Sequence, residues 1–225
     1  MEKQSREIEI LNTSLLFKIL SEILFHIVFF VQSIVYLLVY QIKIEGRKNL
    51  TSVDKGILIA NHLHYLDPGF AAQAVWPRRT YFTGLEDTFT NNRFFSYFIR
   101  ALGGLPIPKK NPGRIVKVIG SILDNSNRFI HIFPEGELLI ANRELQSFQK
   151  GAFSLAYFFE VPIIPIVEVQ QKRRFWPAPK IIMIIGSPIY PSAYHELCDS
   201  KEERIKKMKR DARSFMQDTI NLYFD

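Results

Sequence analysis

The sequence predicts an α/β fold, a mixed and mostly parallel sheet flanked by helices, behind an N-terminal membrane-anchoring helical segment. Three observations carry this. Short apolar runs of strand length (Ile57-Leu58-Ile59-Ala60, Phe129-Ile130-His131-Ile132-Phe133 and Val161-Pro162-Ile163-Ile164-Pro165-Ile166-Val167) end in polar turns or carry proline at strand ends. Stretches with apolar residues at helical spacing separate these runs. Residues 13–40 are so rich in Leu, Ile, Val and Phe that a buried core helix there would need a partner layer on every face. At 225 residues and 47% apolar, the chain can bury a real core as one domain with an appendage.

Residues 1–12 are polar and mixed in charge, unlike the start of a signal peptide. The apolar segment follows, interrupted early by Lys18, Glu22, His26 and Gln32. What remains is of marginal spanning length, where ~20 residues are usual. No small-residue cleavage site follows it, so the segment is expected to be a retained anchor. It is either one tilted transmembrane helix or a monotopic helical hairpin. Residues 1–41 therefore form the predicted anchor and 42–225 the predicted domain. Lys43, Arg47 and Lys48 just after the anchor favour a cytoplasmic domain by the positive-inside bias.

Gln41 to Glu45 alternates like a half-exposed strand that Gly46 ends, and the Ile57 strand comes next. Asp67-Pro68 reads as an N-cap with proline at the first helical position, opening a helix through Val75. A strand at Tyr81-Phe82-Thr83 and a helix over 92–102 lead to Gly103-Gly104-Leu105-Pro106-Ile107-Pro108-Lys109-Lys110, a punctuated segment ending in two cations. Pro112-Gly113-Arg114 starts a helix carrying Ile115, Val118, Ile119 and Ile122 on one face, which hands over to the Phe129 strand. A polar loop to about 147 and a helix over 149–159 come next. Strands at Ile163 and at Ile181 to Ile185 close the sheet, with Lys172-Arg173-Arg174-Phe175-Trp176-Pro177 between them. A charged amphipathic helix over 201–223 ends the chain.

His62 sits where a strand delivers its carboxyl end, the place where open α/β sheets collect ligands. Asp67 lies five residues on, across a short turn that can fold its carboxylate back onto an imidazole nitrogen. A carboxylate there fixes the tautomer and leaves the other nitrogen free to accept a proton. Alone, the pair also reads as a helix cap beside a polar turn. Several chemistries are disfavoured. Cys198 is the single cysteine, which excludes an internal disulfide, and it has no histidine partner to make it a nucleophile. There is no metal signature, His64 reads as a turn residue, and no Gly-x-Ser-x-Gly elbow is present. The net charge of +7 suits nucleic acid or anionic lipid alike. No nucleic-acid motif accompanies it, and the N-terminal segment points to lipid.

Asn61-His62-Leu63-His64-Tyr65-Leu66-Asp67, the glycine-rich block ending in Lys109-Lys110, Phe133-Pro134-Glu135-Gly136 and Val161 to Val167 stand in an order that resembles the glycerolipid acyltransferase superfamily. Phe148-Gln149-Lys150-Gly151-Ala152 extends the resemblance. It implies acyl transfer from acyl-ACP or acyl-CoA to a hydroxyl of a lysophospholipid-like acceptor, with 1-acylglycerol 3-phosphate the default and no cofactor. On this resemblance His62 is the general base, Asp67 orients it, and no covalent acyl-enzyme forms. Asn61 supports the turn or caps the strand end. Glu135 and Gly136 form the acceptor-binding turn, and Lys109 and Lys110 supply charge for a phosphate.

Two departures bear on the acceptor. The family's third block continues Thr-Arg, whereas here Gly136 is followed by Glu137-Leu138, so the phosphate-binding arginine is missing. The second block ends Lys-Lys instead of the usual Asp-Arg or similar pair. Arg143 is the candidate to reach back from the polar loop. Other acceptors, such as another lysolipid, an amino-acid lipid or a glycolipid, and a non-catalytic membrane-binding protein of the same fold are the competing readings.

Overall fold

The computed structural model describes residues 10–12, 14–90, 92–125, 127–138 and 144–224. Seven strands form its sheet: β1 (Lys43–Glu45), β2 (Gly56–Ala60), β3 (Arg79–Leu85), β4 (Gly104–Ile107), β5 (Arg128–Ile132), β6 (Ile163–Gln171) and β7 (Lys180–Ile185). Their order is β1-β7-β6-β2-β5-β3-β4. All neighbours run parallel except β6 and β7, which form an antiparallel pair. The sheet is thus mixed and mostly parallel, as the alternation of strands and helices predicts.

β2 is the central strand because it can be buried on both faces: every one of its five residues is buried. Ile57 and Ile59 point into a core shared with Ile119 of α4 (Arg114–Leu123), Phe153 of α5 (Gly151–Phe159) and Met208 and Met216 of α6 (Lys201–Asn221). Leu58 and Ala60 point the other way, against Phe70 and Ala74 of α2 (Asp67–Val75) and Tyr36. α6 begins at a capping box in which Ser200 and Glu203 satisfy each other's backbone N–H groups.

β4 is a strand where the sequence shows only glycine and proline punctuation. As the edge strand it needs one ladder only, which is the position where proline is tolerated. β3 and β6 extend beyond their apolar centres because polar residues continue the same ladders.

Residues 15–40 form one helix, α1 (Leu15–Val35) followed by a π-helical turn Tyr36–Tyr40. No glycine or proline interrupts it, so the alternative of a helical hairpin is corrected to a single rod about 39 Å long at 1.5 Å per residue. The rod does not project away from the domain. Phe17, Ser21, Phe25, Phe29 and Tyr36 are buried along one side, while Leu16, Ile19, Leu20, Ile23, Ile27, Phe30, Val31 and Ile34 are exposed on the other.

Polar contacts on the docked side fix the placement. The buried Arg79 of β3 donates to Ser21 O at 3.0 Å, Ser21 Oγ at 2.8 Å and Ala101 O at 2.9 Å. Its guanidinium lies 4.3 Å from the Phe25 ring centre. Glu22 accepts from Arg128 at 3.1 Å, and Gln73 donates to Phe29 O at 2.9 Å. Arg79 thereby ties α1 and the end of α3 (Arg93–Ala101) to the sheet.

Removing that guanidinium takes a buried donor from Ser21 O, Ser21 Oγ and Ala101 O, although Ser21 Oγ still donates to Ala101 O. Arg79→Met is expected to lower unfolding free energy by about 1–3 kcal/mol. Thermal or denaturant melts in detergent would show it. A variant as stable as wild type would mean that apolar contact alone docks α1.

Candidate active site

β2 delivers Asn61 and His62 to the carboxyl edge of the sheet, and the chain turns through 63–66 into α2. Asp67 is the first residue of α2 and not its N-cap; Leu66 holds that position without a side-chain bond. The N-cap expected from the sequence is corrected because the Asp67 carboxylate points backwards into the turn. Its Oδ2 accepts from Leu63 N at 2.6 Å and His64 N at 2.8 Å, and lies 2.8 Å from His62 Nδ1.

An ionised carboxylate only accepts, so His62 Nδ1 carries the proton and Nε2 carries the lone pair. Nε2 makes no hydrogen bond among the described residues, and the side chain keeps 18% of its surface exposed. The imidazole stacks on Phe133, with ring centres 3.8 Å apart and planes 11° from parallel. Behind Phe133, His131 is fully buried, and neither ring nitrogen has a hydrogen-bond partner among the described residues. Burial, and then the nearby His62, hold its pKa down at about 3, so it is a neutral packing group. His64 accepts from Leu66 N at 3.0 Å, the turn role its position suggests.

Glu135 lies against the same turn. Its carboxylate accepts from the backbone N–H of Gln146, at 2.8 Å, and of His62. Burial pushes its pKa up, and these two donors pull it back. Gly136 has φ +77°, in the left-handed region that the Phe133-to-Gly136 turn requires. Asn61 clips the end of β2 to β6: its Nδ2 donates to Glu168 O at 2.9 Å and its Oδ1 accepts from Glu168 N at 2.8 Å.

The two lysines of the glycine-rich block lie elsewhere on the sheet's edge. They follow β4, three strands from β2, or ~14 Å at the usual strand spacing. Lys109 is exposed, its Nζ 2.7 Å from Asp87 and its backbone N–H on Glu86 at 2.6 Å. Lys110 is exposed as well. Arg143 lies outside the described residues.

A cavity of about 780 Å³ opens beside the turn, lined by Asn61 and Leu63 but not by His62, Phe133 or Glu135. Glu168, Lys172, Arg173 and Trp176 also line it. The sequence shows the basic and aromatic run 172–176, but only the β6–β7 hairpin brings it to Asn61. Arg173 donates to Ala178 O at 2.8 Å and to Val39 O, with Trp176 5.4 Å away, so its partners are neutral groups.

The family model for acyltransferases matches residues 41–169, from the end of the N-terminal helix through β2, β5 and most of β6. The chain belongs to the acyltransferase family. This acyltransferase is 30% identical over 186 residues to the 1-acyl-sn-glycerol-3-phosphate acyltransferase of Streptococcus pneumoniae, covering 78% of this chain and 67% of the relative. Its fold matches the crystal structure of PlsC, the 1-acyl-sn-glycerophosphate (LPA) acyltransferase of Thermotoga maritima, with a TM-score of 0.60. That match covers 88% of this chain and 78% of the other at 20% identity.

Two glycines near the site separate conformational need from space. Gly136→Ala is expected to cost about 1–2 kcal/mol, because a left-handed residue with a Cβ is strained even where there is room. Gly151→Ala, with nothing within 4 Å of a new Cβ, should be neutral or stabilising by up to about 1 kcal/mol through helix propensity. Melting curves that rank the two the other way would remove the turn constraint at Gly136.

Proposed function

We propose that this acyltransferase moves a fatty acyl group from a thioester, acyl-ACP or acyl-CoA, to the free hydroxyl of a lysophospholipid-like acceptor, with 1-acylglycerol 3-phosphate as the default. His62 is the general base and Asp67 its orienting partner. The observation that carries this reading is the 2.8 Å contact between His62 Nδ1 and Asp67 Oδ2, which leaves Nε2 unpartnered at the sheet's carboxyl edge. Nε2 takes the acceptor hydroxyl's proton as the oxygen bonds to the thioester carbonyl carbon. The C–S bond then breaks, and the imidazolium returns the proton to the departing thiolate, yielding an ester and a free thiol. The transfer is direct, with no acyl-enzyme, and the thioester is a co-substrate with no cofactor involved.

The named relatives support lysophosphatidate as acceptor. The missing Thr-Arg after Gly136 and the Asp87 partner of Lys109 weaken the phosphate site the resemblance implies. Lys172 and Arg173 line the cavity beside Asn61 and are the candidate cations for a charged head group seated there. We assign Glu135 and Gly136 to shaping the acceptor turn and Asn61 to holding the strand end. Nucleic acid has no place in this reading.

Residues 1–41 attach the protein to the membrane and 42–225 form the catalytic domain, on the cytoplasmic face. The attachment lies in the plane of the bilayer. A spanning α1 would draw Arg79, Arg128 and the sheet edge into hydrocarbon with it, because they are bonded to its docked side. The outward face of α1 is apolar, and α3 adds Phe94 at 84% exposure beside Tyr97, whose ring meets Phe17 of α1 at 5.3 Å.

His62→Ala is expected to lower kcat by ~10²–10⁴ in a protein that still folds, and Asp67→Asn to be nearly as damaging. The assay is acyl transfer from one donor to a panel of lysolipids in detergent. Near-wild-type transfer by His62→Ala would remove the base assignment. For the attachment, washing membranes with high salt should leave the protein bound, since the outward face of α1 is apolar and not charged. Release by salt alone would mean that the basic surface does the binding.

A further inference from the structure

The two oxygens of Asp67 are treated unequally. Oδ2 has three N–H partners, whereas Oδ1 is buried with no donor among the described residues. A carboxylate oxygen so placed loses its hydration without compensation.

The group beside it is Glu168. β6 runs on past the end of β2, from the Ala60–Ile166 pairing, and places Glu168 next to the turn. Asn61 holds both backbone groups of Glu168, so its position is set by the same clip that ends β2. The residue is 2% exposed, its carboxylate accepts from Gln170 Nε2 at 2.8 Å, and it lies close enough to Asp67 for the two carboxyl groups to interact.

Two carboxyl groups in contact in a buried site do not both ionise. Two backbone N–H groups on one oxygen favour Asp67 as the anion, while Glu168 has one amide. The proton therefore resides on Glu168. We propose that Glu168 donates an O–H···O hydrogen bond to Asp67 Oδ1 and acts as a positioning residue for the His62–Asp67 pair. This rests on the reading of His62 as the base.

Burial first, and the Asp67 charge second, push the Glu168 carboxyl well above the ordinary range, in the direction the proposal needs. The other groups facing this pair are Tyr36 from the end of α1, Gln170 on β6, and His62 through Asp67. Lys172 and Arg173 lie across the cavity. With both oxygens engaged, Asp67 cannot rotate its carboxylate away from Nδ1. A neutral acid supplies that donor without setting a competing positive charge beside the imidazole.

The test uses Glu168→Leu and Glu168→Gln in the full chain. Glu168→Leu should lower kcat about ten- to a hundredfold with KM nearly constant, because Oδ1 is left without a donor. Glu168→Gln, whose amide can donate, should recover most of that loss. Melting temperatures without substrate give a second readout.

A carboxyl raised in the folded state contributes stability fully present below its unfolded pKa and lost as pH rises through the folded value. Glutamine does not titrate there. The melting temperature of Glu168→Gln relative to wild type should therefore climb as pH rises from about 5. Wild-type kcat in Glu168→Leu, a Gln variant no better than Leu, an effect on KM in place of kcat, or parallel melting across pH would each overturn the proposal. The melting arm needs no turnover, so it is read even if the acyl-transfer reading fails.

Discussion

A single carboxylate oxygen, Asp67 Oδ2, closes the turn on which the site is built. It takes the N–H groups of Leu63 and His64 and faces Nδ1 of His62, so one acceptor satisfies the backbone of the turn and orients the ring. This is why Asp67 cannot also cap α2. Pro68 suits the following position because it has no N–H to leave unsatisfied. Around the turn, Asn61 clips β2 to β6, and Phe133 and Glu135 at the end of β5 support His62 from the other side. Three adjacent parallel strands therefore converge on one imidazole.

The same turn lies against the end of the N-terminal helix. Tyr36 and Tyr40 pack on Phe70 at 4.4 and 5.3 Å, and Tyr40 faces His64 at 6.5 Å. Gly69 permits this contact, since a Cβ there would come within 2.5 Å of the Tyr36 hydroxyl. The proposed membrane-attachment helix and the site thus share a boundary. On the proposed function, an acceptor whose acyl chain stays in the outer part of the bilayer has only to present its head-group region at the edge of the sheet. The cavity beside Asn61 meets this boundary too, through the Arg173 and Trp176 bonds to Val39 O at the end of the π-helical turn.

What was legible in the sequence was local. The β2 strand, the turn and α2 are contiguous, so the type and spacing of Ile57 to Pro68 foretold both the strand end and the carboxylate folded back toward His62. The mostly parallel sheet followed from alternation of strands and helices. β4 was hidden because Gly103, Gly104, Pro106 and Pro108 look like loop punctuation until an edge position excuses them. Glu168 was hidden for a different reason. It joins the turn only through pairing of β6 with β2, 107 residues from Asn61 in the chain, and a lone glutamate in a strand gives no local sign of a carboxyl partner. The lie of α1 was equally illegible: Phe17, Phe25 and Phe29 on the docked side match Phe30 on the exposed side in chemistry, and the distant partners Arg79, Arg128 and Gln73 distinguish them. Lys109 looked like a phosphate ligand until β3 and its following turn brought Asp87 to it.

The tautomer of His62 is the most direct test of the arrangement as a whole. With ring-15N-labelled histidine in the detergent-solubilised protein, and His62→Ala to assign the signals, NMR distinguishes the two neutral forms of the ring. Neutral His62 should show a proton on Nδ1, shifted downfield by its hydrogen bond to Asp67, and a bare Nε2; Asp67→Asn should abolish that downfield signal. A neutral His62 carrying its proton on Nε2 would leave no lone pair where the acceptor hydroxyl must give up its proton, and would contradict the mechanism.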